Sequence, residues 1–248
     1  MRRSNHFTAQ EIDALKEAFL AECFDYQLDW YRAVDQRTRV ILKSRQIGTS
    51  FYFAREALID ALTTGRNQIF VAASLPQALL FKVYMQDFVQ QVLGRQLAGT
   101  TIELANGARL HFISAGSRTF SALSGNVYAD EFFWFERFGV VNNIIKGIAI
   151  HKGQRKTYFS SRPLTLTESH QDALDWWNGE RIDVSHQALA QGRLCADGIW
   201  RQVVTIEDAF ARGNRLVDVE QLRAAYSTAD FDALFMCRLP VAEEIRHG

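Results

Sequence analysis

Val40-Ile-Leu-Lys-Ser-Arg-Gln-Ile-Gly-Thr-Ser50 runs from an apolar strand through a short loop into a helix. Val40, Ile41 and Leu42 suit a buried strand. Gly48 lets the backbone turn tightly and approach a ligand closely. On the phosphate-loop pattern G-x-x-x-x-G-K-[ST], Lys43 stands at the first Gly and Gly48 at the second. Thr49 replaces the Lys, and Ser50 keeps the hydroxyl that ligates Mg²⁺ in such loops. Backbone N–H groups along Ser44, Arg45, Gln46 and Ile47, leading into a helix N-terminus, favour an anion. The missing cation must come from the same loop, from Lys43 or Arg45. Taken alone, the stretch is also compatible with an ordinary strand-to-helix turn carrying surface basic residues.

A second stretch weighs against that bland reading. Asn126-Val-Tyr-Ala-Asp-Glu-Phe-Phe-Trp-Phe135 reads as a buried strand ending in adjacent acids. Acids at the carboxyl end of a parallel strand lie where open α/β sheets bind ligands. Asp130 is expected to hold Mg²⁺, directly or through water. Glu131 is expected to orient and deprotonate the attacking water as a general base. A plain strand terminus explains the acid pair alone, but not the pair together with the upstream loop.

The chain has 248 residues, 48% of them hydrophobic, enough for one sizeable α/β domain with a small appendage. Its 28 basic and 28 acidic residues cancel, so any nucleic-acid contact must come from local patches. Cys23, Cys195 and Cys237 are widely spaced, form no metal-ligand pattern and suggest a reducing compartment. The longest apolar runs are strand-sized, with no membrane span or signal peptide visible.

Along the chain, the pattern predicts a helix over 8–24, capped at Thr8 with Glu11 three residues on. Residues 26–36 read as a short helix or loop, 39–44 as a strand and 49–63 as a helix ending at Gly65. A strand over 67–74 precedes a helix over 76–93 with Pro76 in its first turn. Residues 101–114 alternate around Asn106-Gly107, a hairpin signal. After the acidic strand come a helix over 136–150 and a strand over 156–161. Strands alternating with helices imply a mostly parallel sheet flanked by helices. In the last third, 164–178 is polar, 198–206 reads as a strand, and 218–226 and 230–237 read as short helices. The expected organisation is a core over 1–163 and a small C-terminal lid over 164–248. The Trp176-Trp177 pair is read as packed under a loop, or else as an exposed interaction site.

Lys-Ser-Arg-Gln-Ile-Gly-Thr-Ser, Val-Tyr-Ala-Asp-Glu-Phe-Phe-Trp and Tyr-Phe-Ser-Ser-Arg-Pro together resemble the ATPase domain of tailed-phage terminase large subunits. Trp200-Arg-Gln-Val-Val-Thr-Ile-Glu-Asp-Ala209 and the two late helices are similar to one branch of that family. The acidic strand is generic to P-loop ATPases, whereas the Ser-Arg-Gln-x-Gly loop is much more specific. The resemblance implies an ASCE-type P-loop NTPase fold and Mg²⁺-dependent ATP hydrolysis that drives double-stranded DNA into a capsid. It also implies a bacterial host cytoplasm as the location. The implied partners are the portal or capsid, a small terminase subunit and other copies of the chain in a ring. Ser50 and Asp130 correspond to the metal ligands, and Glu131 to the catalytic acid. Ser160 and Ser161 fall at a short coupling motif that senses the γ-phosphate. Gln27 is similar to a glutamine that reads adenine, with an exposed helical Gln as the alternative. Tyr26 and Trp30 either stack on the base or pack in the core.

A ring motor of this kind implies an arginine acting on the γ-phosphate from a neighbouring subunit. Arg118, in a Gly/Ser-rich loop before the acidic strand, is the candidate, with Arg109 and Arg162 as rivals. Large terminases also carry a nuclease domain after the ATPase. With the chain closing at Gly248, the nuclease domain is expected to be absent and no nuclease activity is expected of this polypeptide. Two further readings stay open: another P-loop DNA-remodelling ATPase, and a non-catalytic DNA- or capsid-binding module on the same fold.

Overall fold

The computed structural model describes residues 5–117 and 122–239. In chain order the helices are α1 (Ala9–Ala21), α2 (Asp25–Arg32), α3 (Thr49–Thr64), α4 (Leu75–Leu93), α5 (Phe138–Ile148), α6 (Gln171–Asn178), α7 (His186–Leu189), α8 (Ile206–Ala211), α9 (Val219–Ala225) and α10 (Thr228–Leu234). The strands are β1 (Thr38–Lys43), β2 (Gln68–Ala72), β3 (Ile102–Glu103), β4 (Arg109–Ser114), β5 (Asn126–Asp130), β6 (Lys156–Ser160), β7 (Arg193–Leu194) and β8 (Trp200–Val204). The chain is α/β, and its strands pair mostly in parallel. No helix among the described residues is long and apolar enough to cross a membrane.

The chain forms two units, each assembled from separate stretches. The first comprises Met1–Cys23, Gly48–Asp130 and Asn143–Lys156. Its strands run in the order β3-β4-β2-β5. β2 pairs in parallel with both β4 and β5, and β3 pairs antiparallel with β4 through the Asn106-Gly107 turn. Gly107 takes a φ of 92°, which glycine adopts freely. The Thr8–Glu11 and Ser74–Gln77 capping boxes satisfy the first N–H groups of α1 and α4. Phe70 of β2 stacks on Phe81, Phe112 and Tyr128 at centroid distances of 4.6, 5.4 and 5.1 Å, giving this unit an aromatic core.

The second unit comprises Phe24–Ile47, Glu131–Asn142 and Thr157–Gly248. Its strands run in the order β6-β1-β8-β7. β8, expected as part of the C-terminal lid, pairs in parallel with β1 from Arg39↔Trp200 to Lys43↔Val204. Both faces of β1 are covered, which suits its Val-Ile-Leu run. Tyr26 and Trp30 are fully buried, so core packing, not stacking on a base, is their role. Trp177 is buried too, and Trp176 packs against Tyr158, Phe138 and Phe132 at 4.6, 5.1 and 5.7 Å.

Candidate functional site

Lys43 is the last residue of β1, and its Nζ donates to Glu131 Oε1 at 2.6 Å. Glu131 follows β5 directly and adopts φ 52°, ψ 53°. That left-handed conformation is strained for a residue with a side chain, and such outliers concentrate at functional sites. The strain turns the carboxylate towards the end of β6. There Oε2 accepts the Ser161 N–H at 2.7 Å and the Ser160 and Ser161 hydroxyls at 3.0 Å each. Burial pushes the Glu131 carboxyl up, but the Lys43 charge and the donors from Lys43 and Ser161 outweigh it. The net effect holds the group below the usual glutamate range, so it is ionised at neutral pH.

The loop after Lys43 is fixed from several sides. The Ser44 N–H donates to Val204 O at 2.7 Å, and the Arg45 N–H donates to Leu234 O at 3.2 Å. Ser44 Oγ donates to the Arg45 carbonyl at 3.0 Å. Gln46 is exposed at φ 60°, a second strained residue. Ile47 is buried, and its carbonyl accepts from Tyr26 Oη at 2.6 Å. Tyr26 Oη in turn accepts from Asn214 Nδ2 at 3.2 Å. Neither Tyr26 nor Asn214 carries a sequence signal for this support. Gln27 is buried rather than exposed, and its Oε1 accepts the Phe24 N–H at 3.1 Å, closing the first turn of α2.

In the first unit Gly48 caps α3 at φ 73°. Ser50 Oγ then lies 3.5 Å from Asp130 Oδ2 at the end of β5. The Thr49 hydroxyl is buried without a hydrogen-bond partner. A Ser–Asp oxygen pair is the donor chemistry that a hard cation such as Mg²⁺ accepts. Among the described residues no group of three or more His, Cys, Asp or Glu side chains is placed to hold a metal. Such a cation would therefore take its other ligands from water and phosphate, as Mg²⁺ commonly does.

Of the arginines weighed from the sequence, Arg118 lies outside the described residues. Arg109 is an exposed residue of β4, 3.4 Å from Glu103. Arg162 directly follows Ser161 and is half-buried.

Residues 40–240 match the family described as terminase large subunit, T4likevirus-type, N-terminal. The chain belongs to this terminase family. It is 47% identical over 250 residues to the terminase ATPase subunit of Escherichia phage P2, covering 95% of this chain and 42% of that one. It thus spans about two fifths of the length of the curated relatives it matches. The large terminase ATPase domain of Thermus phage P74-26 has a similar fold, with a TM-score of 0.64, 14% identity, and coverage of 94% of this chain and 98% of that one. The large terminase of a second thermophilic bacteriophage, solved in complex with ADP, aligns at a TM-score of 0.59 and 9% identity over 94% of this chain and 53% of that one. At those identities the structural likeness establishes a shared terminase ATPase fold. The family expected from the loop and acid motifs is therefore the one to which the chain belongs.

Proposed function

We propose that this terminase chain binds ATP with Mg²⁺ and hydrolyses it to ADP and phosphate, as the ATPase part of a motor that moves phage DNA into a capsid. The observation that carries the reading is Glu131: strained, ionised, and held by the residue that ends β1 and by Ser160 and Ser161 at and just past the end of β6. An anionic carboxylate so restrained is suited to orient a water molecule and accept its proton. Lys43 supplies the cation that the loop lacks at Thr49, with Arg45 as the second basic group of the loop. The N–H groups of Gln46 to Gly48 cradle phosphate oxygens, those of Ser44 and Arg45 being taken by Val204 O and Leu234 O. Ser50 and Asp130 hold the metal ion, which when bound offsets charge on the phosphates. Ser160 and Ser161 touch Glu131, which makes them the groups that relay phosphate occupancy to β6. Gln27 is assigned to adenine recognition and Arg118 to a neighbouring subunit's γ-phosphate.

The relatives' names support this reading: one is a terminase ATPase subunit, and a neighbour of the same fold was solved with ADP. The corresponding partners are double-stranded DNA, the portal or capsid, a small terminase subunit and further copies of the chain. The test is Mg²⁺-dependent ATP hydrolysis by wild type and Glu131→Gln, with nucleotide binding followed in both. We expect Glu131→Gln to bind ATP and to lose turnover by at least about 100-fold, the scale of general acid–base catalysis. Absence of nucleotide binding in the wild type would remove the reading.

A further inference from the structure

α3 and β5 are the elements whose near ends carry Ser50 and Asp130, and polar contacts join them along the rest of their length. Phe53, Glu56 and Asp60 follow Ser50 at intervals of three, three and four residues, so successive members are neighbours on the helix. Asn126, Tyr128 and Asp130 alternate along β5 and share a face. The two rows meet in order. Ser50 Oγ stands 3.5 Å from Asp130 Oδ2, and the Phe53 ring 5.9 Å from the Tyr128 ring. Tyr128 Oη donates to Glu56 Oε1 at 3.1 Å, and Asn126 Nδ2 donates to Asp60 Oδ2 at 2.9 Å. The far end is anchored. Asp60 also receives Arg155 Nη2 at 2.8 Å and Gln68 Nε2 at 2.7 Å, and the Arg155 N–H donates to Asn126 Oδ1 at 2.9 Å.

Glu56 is only 4% exposed. A buried carboxylate carries a desolvation cost that an aliphatic side chain at the same place would avoid. Apolar packing alone would hold the helix on the strand, but it resists axial sliding weakly, and one residue of slide is about 1.5 Å. Directional hydrogen bonds at two heights resist that slide. We infer that Glu56 and Asp60, through Tyr128 and Asn126, are positioning residues that set α3 on β5 and so fix the Ser50–Asp130 separation for a metal–nucleotide complex. The inference rests on the nucleotide reading above. The residues touch neither metal nor phosphate; they act through the two that do.

The test is Mn²⁺ binding in the presence of ADP, read by electron paramagnetic resonance, beside ADP binding without metal. Tyr128→Phe deletes the rung between helix and strand but keeps the ring. Tyr52→Phe deletes a hydroxyl that reaches Glu56 at 3.1 Å from within α3 itself, a bond that does not join the helix to the strand. Outer-shell changes at metal sites typically cost 10- to 100-fold in affinity. Tyr128→Phe is expected to weaken Mn²⁺ binding about tenfold while metal-free ADP binding stays within about twofold, and Tyr52→Phe to match wild type. Unchanged Mn²⁺ affinity in Tyr128→Phe, or equal losses in both variants, overturns the positioning role and leaves the nucleotide reading standing. Failure of the wild type to bind ADP overturns both.

Discussion

Glu131 combines strain, burial and charge within one residue. The left-handed backbone costs a side-chain-bearing residue roughly 1–2 kcal/mol. Lys43, Ser160 and Ser161 hold it there, 2.6 to 3.0 Å from the carboxylate oxygens. Opposing influences set its ionisation: burial raises the pKa, and the Lys43 charge together with the hydrogen bonds from Lys43 and Ser161 lowers it more. A lowered value means that the carboxylate stays deprotonated through the ordinary glutamate range. Its protonation therefore contributes no acid limb to a rate–pH profile above about pH 5. Removing Lys43 leaves burial less opposed, so the Glu131 pKa should move up. Carboxyl ¹³C NMR titration of wild type and Lys43→Met measures this directly, independently of turnover. An unchanged Glu131 midpoint in Lys43→Met would show that the serine donors alone hold it down.

Elements with strong local signals were legible. α1 and α4 begin at capping boxes, and α3 and α4 end at Gly65 and Gly94, because those signals act within one turn. α6, α7 and α8 were not foreseen as helices. α6 has only 8 residues, too few to stand alone in water, and Trp176 and Trp177 place it through packing that no local pattern encodes. The same distinction divides the site. Lys43, Asp130, Glu131 and Ser161 lie in readable motifs, whereas Asn214 reaches Tyr26 across 188 positions of chain. Glycines at element ends separate strain from crowding. At Gly125, just before β5, an added Cβ would stand 2.5 Å from the Asn67 carbonyl oxygen and 2.7 Å from Ile69 Cδ1. A backbone oxygen cannot swing aside, so Gly125→Ala should cost about 1–3 kcal/mol as overpacking. At Gly94, which ends α4 at φ +66°, nothing lies within 4 Å of an added Cβ. Gly94→Ala meets only backbone strain, about 1 kcal/mol. Urea denaturation should rank Gly125→Ala as the more destabilised, and the reverse order would refute the crowding argument.

At the scale of the whole molecule, the chain is interleaved. The boundaries between the two units fall at the Ile47–Gly48 peptide, in the loop after β1, and at the Asp130–Glu131 peptide, between the adjacent acids. Lys43, Glu131, Ser160 and Ser161 belong to one unit, Ser50 and Asp130 to the other. Truncation after Pro163 tests whether residues 1–163 stand alone as a core. The cut removes β8, the parallel partner of β1 over five residue pairs from Arg39↔Trp200 to Lys43↔Val204. It also removes Val204 O from Ser44 N, Leu234 O from Arg45 N and Asn214 from Tyr26. β1 would then present its unpaired N–H and C=O groups along an open edge, the usual template for aggregation. The backbone bonds that hold the loop after β1 would be lost with it. The truncated chain is therefore expected to lose cooperative thermal unfolding by circular dichroism, to elute as aggregate on size exclusion and to bind no ADP. A sharp transition with ADP binding retained would instead establish 1–163 as a self-standing core, with residues 164–248 as a separable lid.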